Sequence, residues 1–187
     1  MATTTERITV EEYYAITESD PRLTQLIDGR IVHSHPRPIH GLIQLRLATA
    51  LGTWAEATEG RGLAVLTTDV VMDRYNAYGP DVLWIAERHR PADLDERIKR
   101  VPDLCVEVRS PSTWRYDVGT KKRVYEAGSL PELWLVDDVA ECVMVFRRSH
   151  PEAPVFDVEL ELTAGDELTS PQLPGFALSL ERLFRRS

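Results

Sequence analysis

The sequence has few cysteines and no long apolar run, the features that most directly assign a protein to the secreted or membrane class. It has only 2 cysteines in 187 residues, which excludes a disulfide-rich secreted scaffold. Cys105 and Cys142 both lie in apolar, strand-like runs, so we interpret them as buried thiols, neither metal ligands nor half-cystines. No apolar run approaches the roughly 20 residues of a membrane helix, and the polar stretch Met1 to Arg7 is unlike a signal peptide. We therefore expect a cytoplasmic protein without membrane contact.

Several catalytic signatures are also missing. There is no Walker-type or dinucleotide-binding glycine loop, so we expect no nucleotide cofactor. No pair of cysteines or histidines has the spacing of a zinc site. Ser110 and Ser112 lack the glycine pattern of a nucleophile elbow, which argues against serine-based hydrolysis.

The net charge limits the kinds of binding partner that we expect. A net charge of -8 argues against tight, non-specific coating of nucleic acid, which depends on lysine and arginine. Positive charge is nevertheless bunched in three places: Arg88-His89-Arg90, residues 97–100 and Lys121-Lys122-Arg123. These clusters indicate either a locally basic face or solvated surface, and the pattern favours solvated surface for the first two.

What is present is typical of one globular domain spanning residues 1–187. The chain is 43% hydrophobic and 28% charged, close to the averages of soluble domains. The length lies within the usual range for a single core.

Local signals predict the first elements of the chain. Thr9 and Glu12 fit a capping box that opens a short helix ending near Ile16. Asp28-Gly29 predicts a type I′ turn between two hairpin strands, 23–27 and 30–34. Apolar residues at three- and four-residue steps predict a long amphipathic helix from Ile39 to about Thr58.

The remainder alternates between strands, loops and one helix. The predicted strands are 63–72, 81–86, 104–109, 132–137, 141–147 and 155–163. Residues 74–80 and 87–101 are predicted as loops, 114–128 as a helix, and the tail as a loop closed by a helix from Ser179. This order predicts an α/β or α+β fold with a mixed central sheet flanked by helices, preceded by the N-terminal helix and hairpin.

Two carboxylates are candidate ligands of a divalent metal ion. Asp81 follows Pro80 at the start of an apolar strand, and Glu107 lies in the middle of another. If these strands are neighbours, both acids can bind one Mg²⁺ or Mn²⁺ ion, which prefers oxygen ligands. Two alternatives remain open: Asp81 as a turn residue and Glu107 as the outward member of an alternating strand. Lys121, in a helix, is ordinarily a solvated charge.

An ordered set of motifs resembles a known family. The motifs are Pro80-Asp81-Val82, Glu107-Val108-Arg109-Ser110-Pro111-Ser112-Thr113, Asp117 with Lys121 and Tyr125, and Pro131-Glu132-Leu133-Trp134-Leu135-Val136-Asp137. Together they resemble the Uma2 family, also called DUF820, of the PD-(D/E)XK restriction-endonuclease-like superfamily. The resemblance extends to Leu26-Ile27-Asp28-Gly29, His40 and Leu173-Pro174-Gly175, and so spans nearly the whole chain.

The resemblance implies a four- or five-stranded core sheet and a metal site. Asp81, Glu107 and the Val108 carbonyl would bind the metal, and Asp81, Glu107 and Lys121 would be catalytic. The lysine of the superfamily normally stands two residues after the glutamate, at Arg109, and the resemblance transfers its role to Lys121. Since Asp117 and Lys121 are four apart, they share a helical face that Tyr125 extends.

Two positions qualify that implication. Gln25 stands where the family usually has a glutamate, so it supplies a carbonyl oxygen but no charge, and Thr24 replaces the usual aromatic. His40 matches the family's histidine, either as a contact to phosphate or metal-bound water or as a packed residue of the long helix.

Two functions follow as hypotheses. The first is an endonuclease dependent on Mg²⁺ or Mn²⁺ that hydrolyses DNA phosphodiester bonds, working as a homo-oligomer, most simply a dimer. The alternative is a catalytically degraded nuclease fold that binds nucleic acid or protein, which Gln25 and the acidic charge favour. These residues could also form an ion-pair network without further function.

Overall fold

The N-terminal elements form as their local signals predict. The structure is a computed structural model that describes residues 7–18, 23–98 and 100–186. Helix α1, Val10–Thr17, is capped by Thr9, whose hydroxyl accepts from the Glu12 amide at 3.3 Å while Glu12 accepts from the Thr9 amide at 2.7 Å. Strands β1, Thr24–Ile27, and β2, Arg30–His33, pair antiparallel. Asp28 and Gly29 join them with φ angles of 52° and 71°, which confirms the hairpin.

The remaining elements follow in chain order. They are α2 Pro38–Glu56, β3 Leu63–Leu66, β4 Val70–Asp73, β5 Asn76–Tyr78, β6 Val82–Ile85, a 3₁₀ turn Glu87–His89, β7 Leu104–Val108, α3 Trp114–Tyr116, a π-helical turn Asp117–Lys121, α4 Lys122–Ala127, β8 Glu132–Asp137, β9 Cys142–Arg147, β10 Val158–Leu162, β11 Glu167–Leu168, β12 Leu178–Ser179 and α5 Leu180–Phe184. No helix among the described residues is both long and apolar enough to span a bilayer.

A mixed six-stranded sheet lies at the centre of the fold. Its strand order is β10-β9-β8-β7-β6-β3, and β7 and β8 are parallel while every other pair is antiparallel. A second, antiparallel sheet has the order β2-β1-β5-β4 and carries the N-terminal hairpin. The mixed architecture confirms the predicted fold class, but the expected core of four or five strands was too small.

Two strand boundaries were predicted wrongly. The run 63–72 is not one strand, because β3 and β4 belong to different sheets and Thr67, with φ at 39°, lies between them. Residues 74–80 are not only a loop, because they contain β5. Asn76 accepts from the Asp28 amide at 2.9 Å and Ala77 pairs with Leu26, so β5 depends on partners about fifty positions earlier in the chain. Local pattern does not reveal such partners.

The two faces of β7 pack against different helices. Leu104, Val106 and Val108 join the core cluster that contains the apolar face of α2. Cys105 points to the opposite face, in the cluster that contains Tyr125 of α4. Because side chains alternate along a strand, Glu107 shares the Cys105 face. This places a carboxylate beneath the 114–127 helical segment. Both cysteines are free and buried, as expected.

Candidate active site

Glu107 is buried and in contact with two side chains of the helical segment above it. Its residue is 3% exposed. Its Oε1 atom accepts a hydrogen bond from the Tyr125 hydroxyl at 2.7 Å and lies 2.6 Å from Nζ of Lys121. The alternative in which Glu107 points outward from its strand is therefore wrong.

The helical segment brings Asp117, Lys121 and Tyr125 onto one face. Lys121 is 0% exposed, and its Nζ lies 3.0 Å from Asp117 Oδ1 as well as beside Glu107. Both contacts lie within ion-pair distance. Lys121 is thus a fully buried cation between two carboxylates, and the alternative in which it is a solvated surface charge is wrong.

Asp81 reaches the same region from the start of β6. Its Oδ2 accepts the Val108 amide at 2.7 Å and its Oδ1 lies 3.0 Å from His40 Nε2. Its backbone carbonyl accepts from the Gln44 side chain at 2.9 Å, which links it to α2. His40 Nδ1 lies 3.2 Å from the Arg109 carbonyl, so both imidazole nitrogens have a partner. Asp81 is thereby oriented by the strand that carries Glu107.

Arg109 is directed to another partner. Its guanidinium donates to Asp137 Oδ2 at 2.7 Å, on the neighbouring strand β8. The position where the superfamily normally has its lysine therefore carries a structural ion pair here, while Lys121 contacts Glu107.

The electrostatics of the site reflect crowded carboxylates. Burial raises the pKa of Glu107 to about 8; Lys121 opposes this shift, and the charges of Asp117 and Asp81 add to it. Burial likewise raises the pKa of Asp117. For Lys121, burial acts to lower the pKa, but Asp117 and Glu107 outweigh it and raise it, so the lysine stays protonated. A protonated lysine stabilises negative charge and does not act as a base.

A small polar cavity lies beside Asp81. It has a volume of about 220 Å³, and its lining includes Gln25, Asp69 and Asp81. The Gln25 Oε1 atom is buried and has no hydrogen-bond partner among the described residues. Asp69 was not predicted from the sequence, although an aspartate directly before the apolar residues of β4 is the kind of signal that singled out Asp81. Burial raises the pKa of Asp69. The cavity therefore holds an unsatisfied acceptor and two acids.

Comparison with known proteins places this geometry in context. The family model for Uma2, described as "Putative restriction endonuclease", matches residues 10–181. The chain belongs to the Uma2 family. This confirms the resemblance drawn from the motifs, and the description of the Uma2 family supports a nuclease function.

A solved structure shares the fold. It is the crystal structure of a "putative nuclease belonging to DUF820" from Anabaena variabilis ATCC 29413, with a TM-score of 0.77 and 19% identity over 95% of this chain and 97% of that one. No curated protein matches the chain.

The oxygen ligands that this Uma2 member offers suit a cation that takes only a few of its ligands from the protein. No group of three or more His, Cys, Asp or Glu side chains in the described ranges is arranged to hold a metal ion. Mg²⁺, however, is usually bound by one or two carboxylates, with water and substrate phosphate completing its shell. Gln25 and Asp81 line one cavity, and Glu107 lies on the strand next to that of Asp81, close enough for their charges to interact. The donor set therefore fits Mg²⁺ or Mn²⁺ better than Zn²⁺, which prefers nitrogen and sulfur ligands.

His40 gives a pH-dependent test of the Asp81 contact. Burial acts to lower its pKa, but the hydrogen bond and charge of Asp81 outweigh burial and raise it above 6.5. The folded protein therefore binds this proton more tightly than the unfolded chain does. The resulting stability is fully present below the unfolded pKa and is lost as pH rises through the raised folded pKa.

We expect His40→Asn to lower the free energy of unfolding more at about pH 6 than at about pH 9, measured by urea denaturation without metal. His35→Asn, at an exposed position of the loop before α2, is the matched control and should cause no pH-dependent difference. A loss from His40→Asn that is equal at both pH values would contradict the proposed charge interaction.

Proposed function

We propose that this protein is an endonuclease, dependent on Mg²⁺ or Mn²⁺, that hydrolyses DNA phosphodiester bonds at the site formed by Asp81, Glu107 and Lys121. The observation that carries the proposal is the buried contact of Lys121 with Glu107 at 2.6 Å and with Asp117 at 3.0 Å, beside Asp81. A purely structural core rarely buries so many charges, because each loses its hydration.

Asp81, Glu107 and the Val108 carbonyl would hold the cation. When bound, a divalent cation lowers the pKa of a water molecule and stabilises negative charge on the phosphate. Asp81 is the most accessible of the acidic side chains at this site, at 17% against 4% for Glu107 and 1% for Asp117. The 220 Å³ cavity next to Asp81 is therefore the side from which we expect DNA to approach.

Lys121 acts through Glu107, because a side chain that is 0% exposed does not contact substrate. Its positive charge favours the ionised form of Glu107, which is the form that binds a cation. The Tyr125 hydroxyl holds the same carboxylate in place. Lys121 and Tyr125 would therefore be positioning residues. Asp117 would balance the positive charge of Lys121.

Cleavage of supercoiled plasmid tests the proposal. We expect Mg²⁺ or Mn²⁺ to support conversion to nicked circles and EDTA to abolish it. If the protein works as the proposed dimer, linear product should also form, because two sites cut two strands. Cleavage that persists in EDTA would exclude metal dependence, and the absence of cleavage with either ion would exclude endonuclease activity on DNA.

A degraded, binding-only protein is the second candidate, and Gln25 is the observation that favours it. The neutral amide stands in the acidic cavity where a carboxylate would add charge for a cation. Uptake of Mn²⁺ or DNA without cleavage would support this candidate over the first.

Restoring a carboxylate at position 25 should strengthen metal binding. The Oε1 atom of Gln25 is buried without a hydrogen-bond partner in the part of the chain that the structure describes, so Gln25→Glu adds charge where an oxygen ligand already stands. We expect Mn²⁺ affinity to rise about tenfold, since ligand charge governs affinity for hard cations. Isothermal titration measures it. Thr53→Glu, on an exposed part of α2, adds equal charge elsewhere and should have no such effect. Equal affinity of the Gln25→Glu variant and wild type would place the cation away from this cavity.

A further inference from the structure

A second, larger cavity lies at the other end of β7. It has a volume of about 740 Å³, and Asp103, the residue directly before β7, lines it. Glu107 is the fourth residue of that strand and does not line the cavity. At ~3.3 Å per residue, about 13 Å of strand separates Asp103 from Glu107. The two cavities are therefore distinct.

The charge of this cavity is opposite to that of the whole protein. Its basic lining residues are Arg88, Arg100, Arg147, Arg148, His89 and His150. Among its described lining residues Asp103 is the one carboxylate. In a chain of net charge -8, this concentration of arginine creates a local field that attracts anions.

The acidic groups near the cavity already have partners. Asp103 is 2% exposed and accepts from the Ala86 amide at 2.9 Å, from Arg88 at 3.3 Å and from His89 at 2.9 Å. Glu132, which is 0% exposed, accepts from Trp134 at 2.7 Å.

The arginines differ in how far they are neutralised. Arg148 donates to backbone carbonyls, including Leu130 at 3.2 Å, and so serves the fold. Arg147 lies 4.0 Å from Glu132 Oε1, at the outer limit of an ion pair. Arg100 forms no ion pair with a carboxylate of the described residues, and its side chain is exposed. Arg100 and Arg147 thus retain charge that a bound anion can neutralise.

The other walls of the cavity are apolar and stiff. They include Val101, Pro102, Pro131, Pro151, Val158 and Pro171. Proline rings have fixed backbone φ and no backbone N–H, so they present a preformed apolar surface. The volume of about 740 Å³ lies within the range of small-molecule sites.

We propose that this cavity binds a small phosphorylated ligand of the nucleoside phosphate class. Arg100 and Arg147 hold the phosphate through the planar donor fork of guanidinium, and the prolines contact the ring. This form of recognition needs no glycine-rich loop, which the sequence lacks. The ligand is not a cofactor of hydrolysis, and its binding stands independently of the proposed endonuclease.

The two basic clusters of the sequence that we interpreted as solvated surface contribute residues to this cavity. Arg88 and His89 come from the 3₁₀ turn and Arg100 from the long loop that follows it. Arg147 comes from the end of β9. The fold joins charges that are far apart in the chain.

Titration of ADP into the metal-free, full-length protein tests the proposal. We expect saturable ADP binding by calorimetry, weaker binding of pyrophosphate and none of adenosine. Arg100→Gln and Arg147→Gln should each weaken ADP binding about tenfold, the loss expected for a hydrogen bond to a charged group. Arg182→Gln, on the exposed side of α5, and Glu107→Gln should bind ADP as the wild type does.

Three outcomes would overturn the proposal: no saturable binding of ADP, adenosine binding as tight as that of ADP, or unchanged affinity in both Arg100→Gln and Arg147→Gln. Arg100 is exposed, so Arg100→Gln keeps the test decisive if Arg147→Gln does not fold. Since no outcome uses DNA cleavage, failure here is distinguishable from failure of the endonuclease proposal.

Discussion

We expect Glu107→Gln to reduce the proposed metal-dependent DNA cleavage at least about 100-fold and to leave the protein folded. Loss of a residue that merely orients a metal ligand already costs 10- to 100-fold, so loss of a ligand should cost at least as much. Folding is preserved because glutamine keeps an oxygen that accepts a hydrogen bond from the Tyr125 hydroxyl, 2.7 Å away in the wild type, and Asp117 remains 3.0 Å from the Lys121 cation. Burial already raises the pKa of Glu107 to about 8, so a neutral side chain is tolerated there. Plasmid nicking and thermal unfolding measure the two effects.

Glu132→Gln is the matched control. Glu132 is 0% exposed and lies at the start of β8, the strand next to β7. It accepts from Trp134 at 2.7 Å and from Ser170 at 2.6 Å, away from Asp81 and Lys121. We expect this change to lower stability while cleavage by the folded fraction persists. Equal loss of cleavage in both variants, or full activity of Glu107→Gln, would remove Glu107 from the proposed site.

We expect Lys121→Met to destabilise the protein by about 3–5 kcal/mol, the usual cost of removing one partner from a buried charge pair. The change leaves Glu107 and Asp117 buried without the cation that lies 2.6 Å and 3.0 Å from them. It should also reduce cleavage, because Lys121 favours the ionised form of Glu107. Urea denaturation without metal measures the stability, and Asp117→Asn in the same chain should recover part of it.

Lys122→Met provides the control at the adjacent position. Lys122 is partly exposed and pairs with Glu159 at 3.2 Å on the surface. Surface pairs contribute about 0–1 kcal/mol, so the control should lose no more than that. If Lys121→Met were as mild as Lys122→Met and still cleaved DNA, the buried lysine would have neither the structural nor the functional importance assigned to it.

Much of the fold was predictable because its signals are local. Thr9 and Glu12 satisfy each other's backbone amides within one turn. Asp28 and Gly29 adopt positive φ angles, which aspartate and glycine tolerate better than most residues. The apolar face of α2 buries Leu47 completely, as the three- and four-residue spacing predicted. Each of these features depends on residues a few positions apart.

Other features depend on distant partners and left no such signal. The break between β3 and β4 follows from their membership of two sheets, and β5 exists because it pairs with the hairpin. The basic cavity combines segments about sixty residues apart in the chain, such as those of Arg88 and Arg147. No window of the sequence contains these contacts.

The candidate site was predictable only in part. The spacing of Asp117, Lys121 and Tyr125 predicted one helical face, and the structure places all three around Glu107. The π-helical turn that carries Asp117 and Lys121 was not predicted, because one additional residue per turn leaves no mark on short spacings. Complete burial of Lys121 was also missed, since a lysine is ordinarily exposed. The family resemblance, and not the pattern alone, singled it out.

Anomalous diffraction from crystals soaked in Mn²⁺ tests the central claim most directly. We expect one manganese peak at about 2.0 to 2.6 Å from a carboxylate oxygen of Asp81 and one of Glu107. The peak should be absent from Glu107→Gln crystals soaked in the same way. A protein that cleaves DNA with Mn²⁺ but binds manganese elsewhere, or with these two carboxylates too far apart to share one ion, would contradict the assignment of the active site to Asp81 and Glu107.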